Sequence, residues 1–221
     1  MEYYIFVFLI LFLTLLISFS ICLVNISSFS STYDIQEVPG FLNSDECDIL
    51  ISLSKDSGKL IPSNVYGGGN DLHNESVRKS YQMWLSDNDH DVVKNISKRV
   101  AEMTNTNIEN QELLQLLKYS SGGFFNSHHD ACNGTKEYCQ RMNNNLGPRY
   151  ITFLIYLNDD FSGGETVFPN INKSVKPEKG KAVIFYNTHL DGTVINDSLH
   201  GGNPIGIGEK WIVNKWIRQT N

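Results

Sequence analysis

Apolar and polar positions divide the chain into a short N-terminal run and one long patterned region. Tyr3 to Val24 reads YYIFVFLILFLTLLISFSICLV, without a charge. A run of about 20 apolar residues can cross a bilayer as a helix, and this one is apolar on every face, unlike a core helix. No small-residue cleavage pattern of a signal peptide stands out. Residues 1–25 are therefore expected to form an uncleaved transmembrane signal anchor, and Ser-rich residues 26–33 a linker.

Residues 34–221 are patterned as a single folded domain. IQEVPGFL predicts a strand ending at Pro39-Gly40, and Asn43-Ser44-Asp45-Glu46 supplies helix-start chemistry for CDILISLSK. SNVYGGGNDLHNES, with glycines at 67 to 69, predicts a loop, either plain surface or a lid over substrate. VRKSYQMWL reads as a strand. DHDVVKNISKRVAEMTN places Val92, Val93, Ile96, Val100 and Met103 on one side of a helix. ELLQLLKYS, RYITFLIYLN, KAVIFYN and EKWIVNKWIR are strand-like, rich in β-branched and aromatic residues. Two early helices followed by many strands predict an α+β fold with an antiparallel sheet pair or barrel.

About 190 residues beyond the linker suffice for one substantial core. The net charge of −6 and pI near 5.5 give no support to a nucleic-acid partner, which usually meets a basic surface. Asn-x-Ser/Thr sequons begin at Asn25, Asn74, Asn95, Asn133, Asn172 and Asn196. Cys132 and Cys139 lie in one predicted loop, where they could close a small disulfide or remain thiols. With the anchor, these features predict a catalytic domain lumenal to the endoplasmic reticulum or secretory pathway.

The chemistry sits in three residues. His128 and Asp130 form a His-x-Asp pair in YSSGGFFNSHHD, and His200 stands in SLHGG. Along a strand, residues i and i+2 share a face, so the pair can point one way while His129 points away. Two histidines and one carboxylate are the ligand set of non-haem Fe(II) oxygenases, with open positions for a chelating 2-oxoacid and O2. The same three could hold zinc. Lys210 tips the balance toward iron. Alternation in EKWIVNKWIR puts Lys210, Ile212, Asn214 and Trp216 on one face, and an inward ammonium requires an anionic partner such as a 2-oxoacid carboxylate.

From about Ile35 to Arg218 the chain resembles the prolyl 4-hydroxylases of the Fe(II)/2-oxoglutarate dioxygenases, most closely their compact plant, algal and viral types. VRKS, LLKYSSGGFFNSHHD, RYITFLIYLNDDFSGGETVFP, VKPEKGKAVIFYN and DSLHGGNPIGIGEKWIVNKWIR carry the resemblance, in the family's order and spacing. It implies a double-stranded β-helix, or jelly roll, with supporting N-terminal helices. His128, Asp130 and His200 would bind Fe(II), and Lys210 would hold the far carboxylate of 2-oxoglutarate. Tyr119 and Tyr156 match the co-substrate pocket. Arg149 matches an arginine beside the reacting substrate and is the expected catalytic side chain, while Arg78 and Ser80 match peptide contacts. L-Ascorbate is implied as the reductant. Two departures stand out: His129 fills a usually apolar position inside His-x-Asp, and Asn203 follows HGG where cysteine is common.

The expected reaction is hydroxylation of peptidyl proline to 4-hydroxyproline with consumption of O2 and release of succinate and CO2. The substrate would be an extended proline-containing peptide, already near polyproline II and so inexpensive to order. Alternatives are the same chemistry on lysine or another side chain, a membrane-anchored binding protein without turnover, and a zinc hydrolase. The complete set of His128, Asp130, His200 and Lys210 counts against the binding protein. Dependence on 2-oxoglutarate would eliminate the hydrolase.

Overall fold

Runs of β-branched and aromatic residues, punctuated by Gly, Pro, Asn and Asp, become the strands of two antiparallel sheets. The structure, a computed structural model, describes residues 33–67, 70–143 and 146–219. Its strands are β1 (Gln36–Val38), β2 (Ile61–Pro62), β3 (Val65–Gly67), β4 (Asn70–Leu72), β5 (Arg78–Lys79), β6 (Tyr81–Leu85) and β7 (Leu114–Tyr119). They continue with β8 (Phe124–His128), β9 (Arg149–Tyr156), β10 (Thr166–Phe168), β11 (Lys173–Val175), β12 (Ala182–Tyr186), β13 (His200–Gly202) and β14 (Lys210–Arg218). The larger sheet has the order β1-β12-β9-β14-β7-β6-β2 and the smaller β11-β10-β13-β8-β5. Non-sequential neighbours in both sheets are the mark of a jelly roll. Ile35–Asn221 form one compact unit.

Two helices cover the outer face of the larger sheet. Helix α1 (Ser44–Ser57) starts at a capping box in which Asn43 and Glu46 satisfy each other's backbone N–H, and it ends at Gly58 in the left-handed region. Helix α2 is Asp91–Thr104. Leu50, Val93, Ile96 and Val100 from these helices pack on Leu116, Phe153, Ile155, Val213 and Ile217 of the sheet. Full burial of each such side chain stabilises by about 1.5–3 kcal/mol. Met103, expected on the apolar stripe of α2, is exposed at the end of the helix. Alternate residues on the same strands face the other way, and the site is built there.

Several expectations are corrected. The architecture is mostly β rather than α+β, because the helices only back one sheet. VRKSYQMWL is not one strand: the chain changes sheets at Ser80, with Arg78–Lys79 on β8 and Tyr81–Leu85 on β7. The Gly-rich loop contains the β3–β4 hairpin, with Gly68 and Gly69 outside the described residues. A short helix α3 (Lys136–Met142) stands where only loop was expected, and Cys132 and Cys139 are bridged beside it. Cys47 is a buried thiol, its pKa pushed up to about 11 chiefly by desolvation. Asn74, Asn95, Asn133, Asn172 and Asn196 are all exposed.

The membrane expectation is also corrected. Residues 1–32, which hold the expected anchor and nearly all of the linker, lie outside the described residues. Among the described residues no helix is long and apolar enough to cross a membrane. Helices α1 and α2 have 14 residues each, about 21 Å at 1.5 Å per residue against roughly 30 Å of hydrocarbon. The single-pass membrane assignment, and the lumenal placement built on it, are withdrawn.

Candidate active site

A cavity of about 430 Å³ opens between the sheets. β8 and β13 pair antiparallel with His128 directly opposite His200, so register alone brings the two rings together, centroids 4.4 Å apart. His128 Nδ1 lies 2.9 Å from the Asn126 carbonyl and His200 Nδ1 2.9 Å from the Ser198 carbonyl. Each Nδ1–H donates to its carbonyl, which turns the Nε2 lone pair inward. Both Nε2 atoms lie 3.6 Å from a carboxylate oxygen of Asp130, one on each oxygen. One ligand atom from each of the three lies within 4.8 Å of the others.

Asp130 does not reach this place by strand alternation. β8 stops at His128, and Asp130 returns to the cavity from the bend that follows. Two donors fix it: Thr152 Oγ1 at 2.6 Å and Trp216 Nε1 at 2.9 Å, both on Oδ2. Asn187 Nδ2 in turn donates to Thr152 Oγ1 at 2.7 Å. Burial alone would push the Asp130 pKa up, but His200, His128 and Arg149 outweigh it and hold the carboxyl well below its usual range. Burial, then the neighbouring His128, pushes the His200 pKa down to about 4. Asp130 is thus poised as a carboxylate beside a neutral His200 imidazole, the forms in which these two groups bind a metal. His129 turns aside, its Nδ1 3.2 Å from Ser198 Oγ, although its ring still edges the cavity.

The face of β14 expected inside is inside: Lys210, Ile212, Asn214 and Trp216 all line the cavity. Lys210 is 3 % exposed. Its Nζ donates to the Gly164 carbonyl at 2.5 Å and lies 5.6 and 5.3 Å from the Tyr119 and Tyr156 ring centroids. Desolvation lowers its pKa to about 7, with Glu165 raising it only in part. A buried ammonium whose hydrogen-bond acceptor is a neutral carbonyl is a cradle for an anion. The Gly163-Gly164 turn, given no role in the sequence, supplies that carbonyl. Gly164 has φ +73°, a conformation that favours glycine, and a Cβ there would also press on Ile205 Cδ1 at 2.5 Å.

The remaining predicted residues divide. Tyr119 lines the cavity. Tyr156 is on the inward face of β9 but wholly buried behind the wall, its hydroxyl 2.6 Å from Thr166 Oγ1, and it touches the cavity only through that threonine. Arg78 lines the wall, its guanidinium 4.5 Å from the Phe125 ring centroid. Ser80 lies behind it, accepting from Arg78 Nε at 3.1 Å and donating to Ser63 at 2.8 Å, so it positions Arg78. Arg149 lines the cavity with its guanidinium 3.5 Å from the Trp216 ring centroid and a two-pronged pair to Glu112 at 2.7 and 2.8 Å. Its inward aim comes from a bulge. Ile151 opposes Ile217 and Arg149 opposes Arg218, so Tyr150 is skipped and Arg149 turns to the inner face. The sequence reading missed Thr152, Glu112 and Phe125, which stacks 3.6 Å from His128. Period-two alternation around Leu154 pointed to Thr152; no local signal marked the others.

The residues present fit a divalent metal and a dicarboxylate. Two oriented imidazoles and a twice-braced carboxylate make a facial donor set, and the anion cradle stands in the same cavity. A jelly roll carrying such a site defines a 2-oxoglutarate-dependent Fe(II) oxygenase, and the family model of the 2OG-Fe(II) oxygenase superfamily matches residues 114–218. Probable prolyl 4-hydroxylase 6 of Arabidopsis thaliana is 36 % identical over 237 residues, covering 93 % of this chain and 78 % of that protein. Prolyl 4-hydroxylase 1 of the same plant is 34 % identical over 194 residues, covering 81 % and 66 %. The viral collagen prolyl hydroxylase of Paramecium bursaria Chlorella virus-1, in its 2OG complex, superposes with TM-score 0.70 at 29 % identity, covering 86 % of this chain and 98 % of that one. The chain belongs to the prolyl 4-hydroxylase family of these dioxygenases.

Proposed function

We propose that this protein hydroxylates proline in extended peptides to 4-hydroxyproline, using His128, Asp130 and His200 to hold Fe(II) and Lys210 to hold 2-oxoglutarate. When bound, the metal and 2-oxoglutarate supply the oxidising power, placing one atom of O2 in the peptide and the other in succinate, with loss of CO2. The protein's own residues bind, orient and exclude water. Asn126 and Ser198 carbonyls fix the two histidines, and Thr152 and Trp216 fix Asp130. Lys210 keeps its proton when a carboxylate reaches it, and Tyr119 beside it bounds the space for the co-substrate. Arg149, Trp216 and Arg78 line the same wall and are assigned to the substrate peptide, the aromatic face of Trp216 suiting a proline ring. L-Ascorbate, implied by the family resemblance, would keep the site reduced.

The observation that carries this reading is a facial triad and a buried ammonium opening onto one cavity. The test is a panel of proline-rich and lysine-containing peptides incubated with the iron-loaded protein, 2-oxoglutarate, ascorbate and O2, and read by mass. A gain of one oxygen on proline is expected. Oxidation confined to lysine would move the substrate assignment to that residue.

A further inference from the structure

The two histidines of the triad are held differently. His200 is packed against two fully buried rings, Phe185 at 4.7 Å and Phe168 at 5.7 Å. His128 stands at the end of β8 with its side chain 24 % exposed, and its hydrogen bond to the Asn126 carbonyl is exposed as well. That bond sets which nitrogen faces the metal position, but it leaves the plane of the ring to be fixed by packing. Phe125 supplies the packing: its ring lies within 20° of parallel to the imidazole, centroids 3.6 Å apart. Three residues apart on a regular strand, the two side chains would face opposite ways. Here the ladder slips, and the stretch from Phe125 to His128 on β8 matches only Gly202 to His200 on β13. The extra residue is a bulge that turns Phe125 and His128 to one side.

Phe125 is in turn held from the next strand. Arg78 on β5 is its direct cross-strand partner, and the guanidinium carbon lies over the ring, 4.5 Å from its centroid. A parallel stack at 3.6 Å fills one face of Phe125 and leaves the other to the guanidinium. Arg78 is 6 % exposed, and its plane is set by donation from Nε to Ser80 Oγ at 3.1 Å and from NH1 to the Asn64 carbonyl at 3.3 Å. We propose that Arg78 is a positioning residue of the metal site: it clamps Phe125 from behind, and Phe125 fixes the ring plane of His128. The inference rests on the reading that His128, Asp130 and His200 hold the metal. Arg78 then does more than line the peptide wall. Arginine suits the place because a planar guanidinium lies flat on an aromatic face, where lysine brings only a point charge.

Co(II) tests this without peptide or turnover, through its affinity and through its visible absorption, which follows the geometry of the ligands. In the full chain, Phe125→Leu should weaken Co(II) binding about tenfold and shift the absorption bands. Arg78→Met should weaken it about fivefold and shift the same bands. The double variant should bind no more weakly than Phe125→Leu alone, because Arg78 acts through that ring. Ser80→Ala frees the guanidinium without removing it, and should move the bands in the same direction with the circular dichroism unchanged. If Arg78→Met does not fold, Ser80→Ala decides alone. Wild-type affinity and bands in Ser80→Ala and in folded Arg78→Met overturn the clamp, as do losses that multiply in the double variant. A wild-type chain that binds no Co(II) overturns the metal-site reading instead, which keeps the two failures apart.

Discussion

Trp216 Nε1 donates a 2.9 Å hydrogen bond to Asp130 Oδ2, tying a residue of the long strand β14 to the carboxylate of the metal triad. The indole also carries the Arg149 guanidinium on its face, so one side chain braces the proposed metal ligand Asp130 and shapes the cavity wall. Trp216→Phe keeps a ring and removes the donor. Metal affinity should fall about tenfold with the fold intact, as calorimetric titration with Co(II) and circular dichroism would record. Unchanged affinity would assign Asp130's placement to Thr152 alone.

His129 and His128 test the register of the site. Of these two neighbours, His128 sends its Nε2 to Asp130, while His129 turns its Nδ1 to Ser198. His129→Gln should leave metal affinity within about twofold, whereas His128→Gln should lower it by about a hundredfold or more. The reverse order in the same titration would place the metal on His129.

Lys210 gives the co-substrate a pH dependence of defined sign. Burial has lowered its pKa to about 7, so above that pH the unliganded cavity holds a neutral amine. A bound carboxylate favours the ammonium, and binding above pH 7 must take up a proton. Affinity for 2-oxoglutarate should fall as pH rises through and beyond about 7 and level off at lower pH. Calorimetry in buffers of different ionisation heat should register proton uptake at high pH alone. Lys210→Met should weaken binding about a hundredfold and remove the slope. Between the lowered value and 10.5 the unfolded chain holds more protons, so this lysine also makes stability rise with pH over that interval.

The Cys132–Cys139 bridge closes a short loop beside a smaller cavity of about 250 Å³ that Cys132 lines together with His129 and Asp130. Replacing both cysteines with serine should reduce stability by about 2 kcal/mol through loop entropy, a drop of several degrees in Tm. Metal affinity should persist, because Thr152 and Trp216 hold Asp130 without the loop. Loss of metal binding in the folded double variant would make the bridge part of the metal site.

The clustering of His128 and Asp130 with His200 and the inward aim of Lys210 were legible because each rests on a short pattern: His-x-Asp, and period two along EKWIVNKWIR. Register finished the work by setting His128 opposite His200. Reasoning from alternation failed where the chain leaves regular geometry. Asp130 lies beyond the end of β8, VRKSYQMWL breaks at Ser80, and Arg149 reaches the cavity only through the bulge at Tyr150. Tyr156 had the right strand face, but Thr166 stands between it and the cavity. Glu112 and Phe125 act through contacts between residues distant in sequence, which a single chain's pattern does not encode. The apolar run over residues 3–24 satisfied a length rule, yet it lies outside the described residues, and among those no helix meets the same rule.

The most direct test of the central claim follows the two atoms of oxygen-18 gas through a reaction with Fe(II), 2-oxoglutarate and an oxidisable proline peptide. One labelled atom should enter 4-hydroxyproline and one succinate, in equal amounts, and His200→Ala should yield neither. Unlabelled hydroxyproline, or peptide oxidation that proceeds without succinate or survives His200→Ala, would contradict the account.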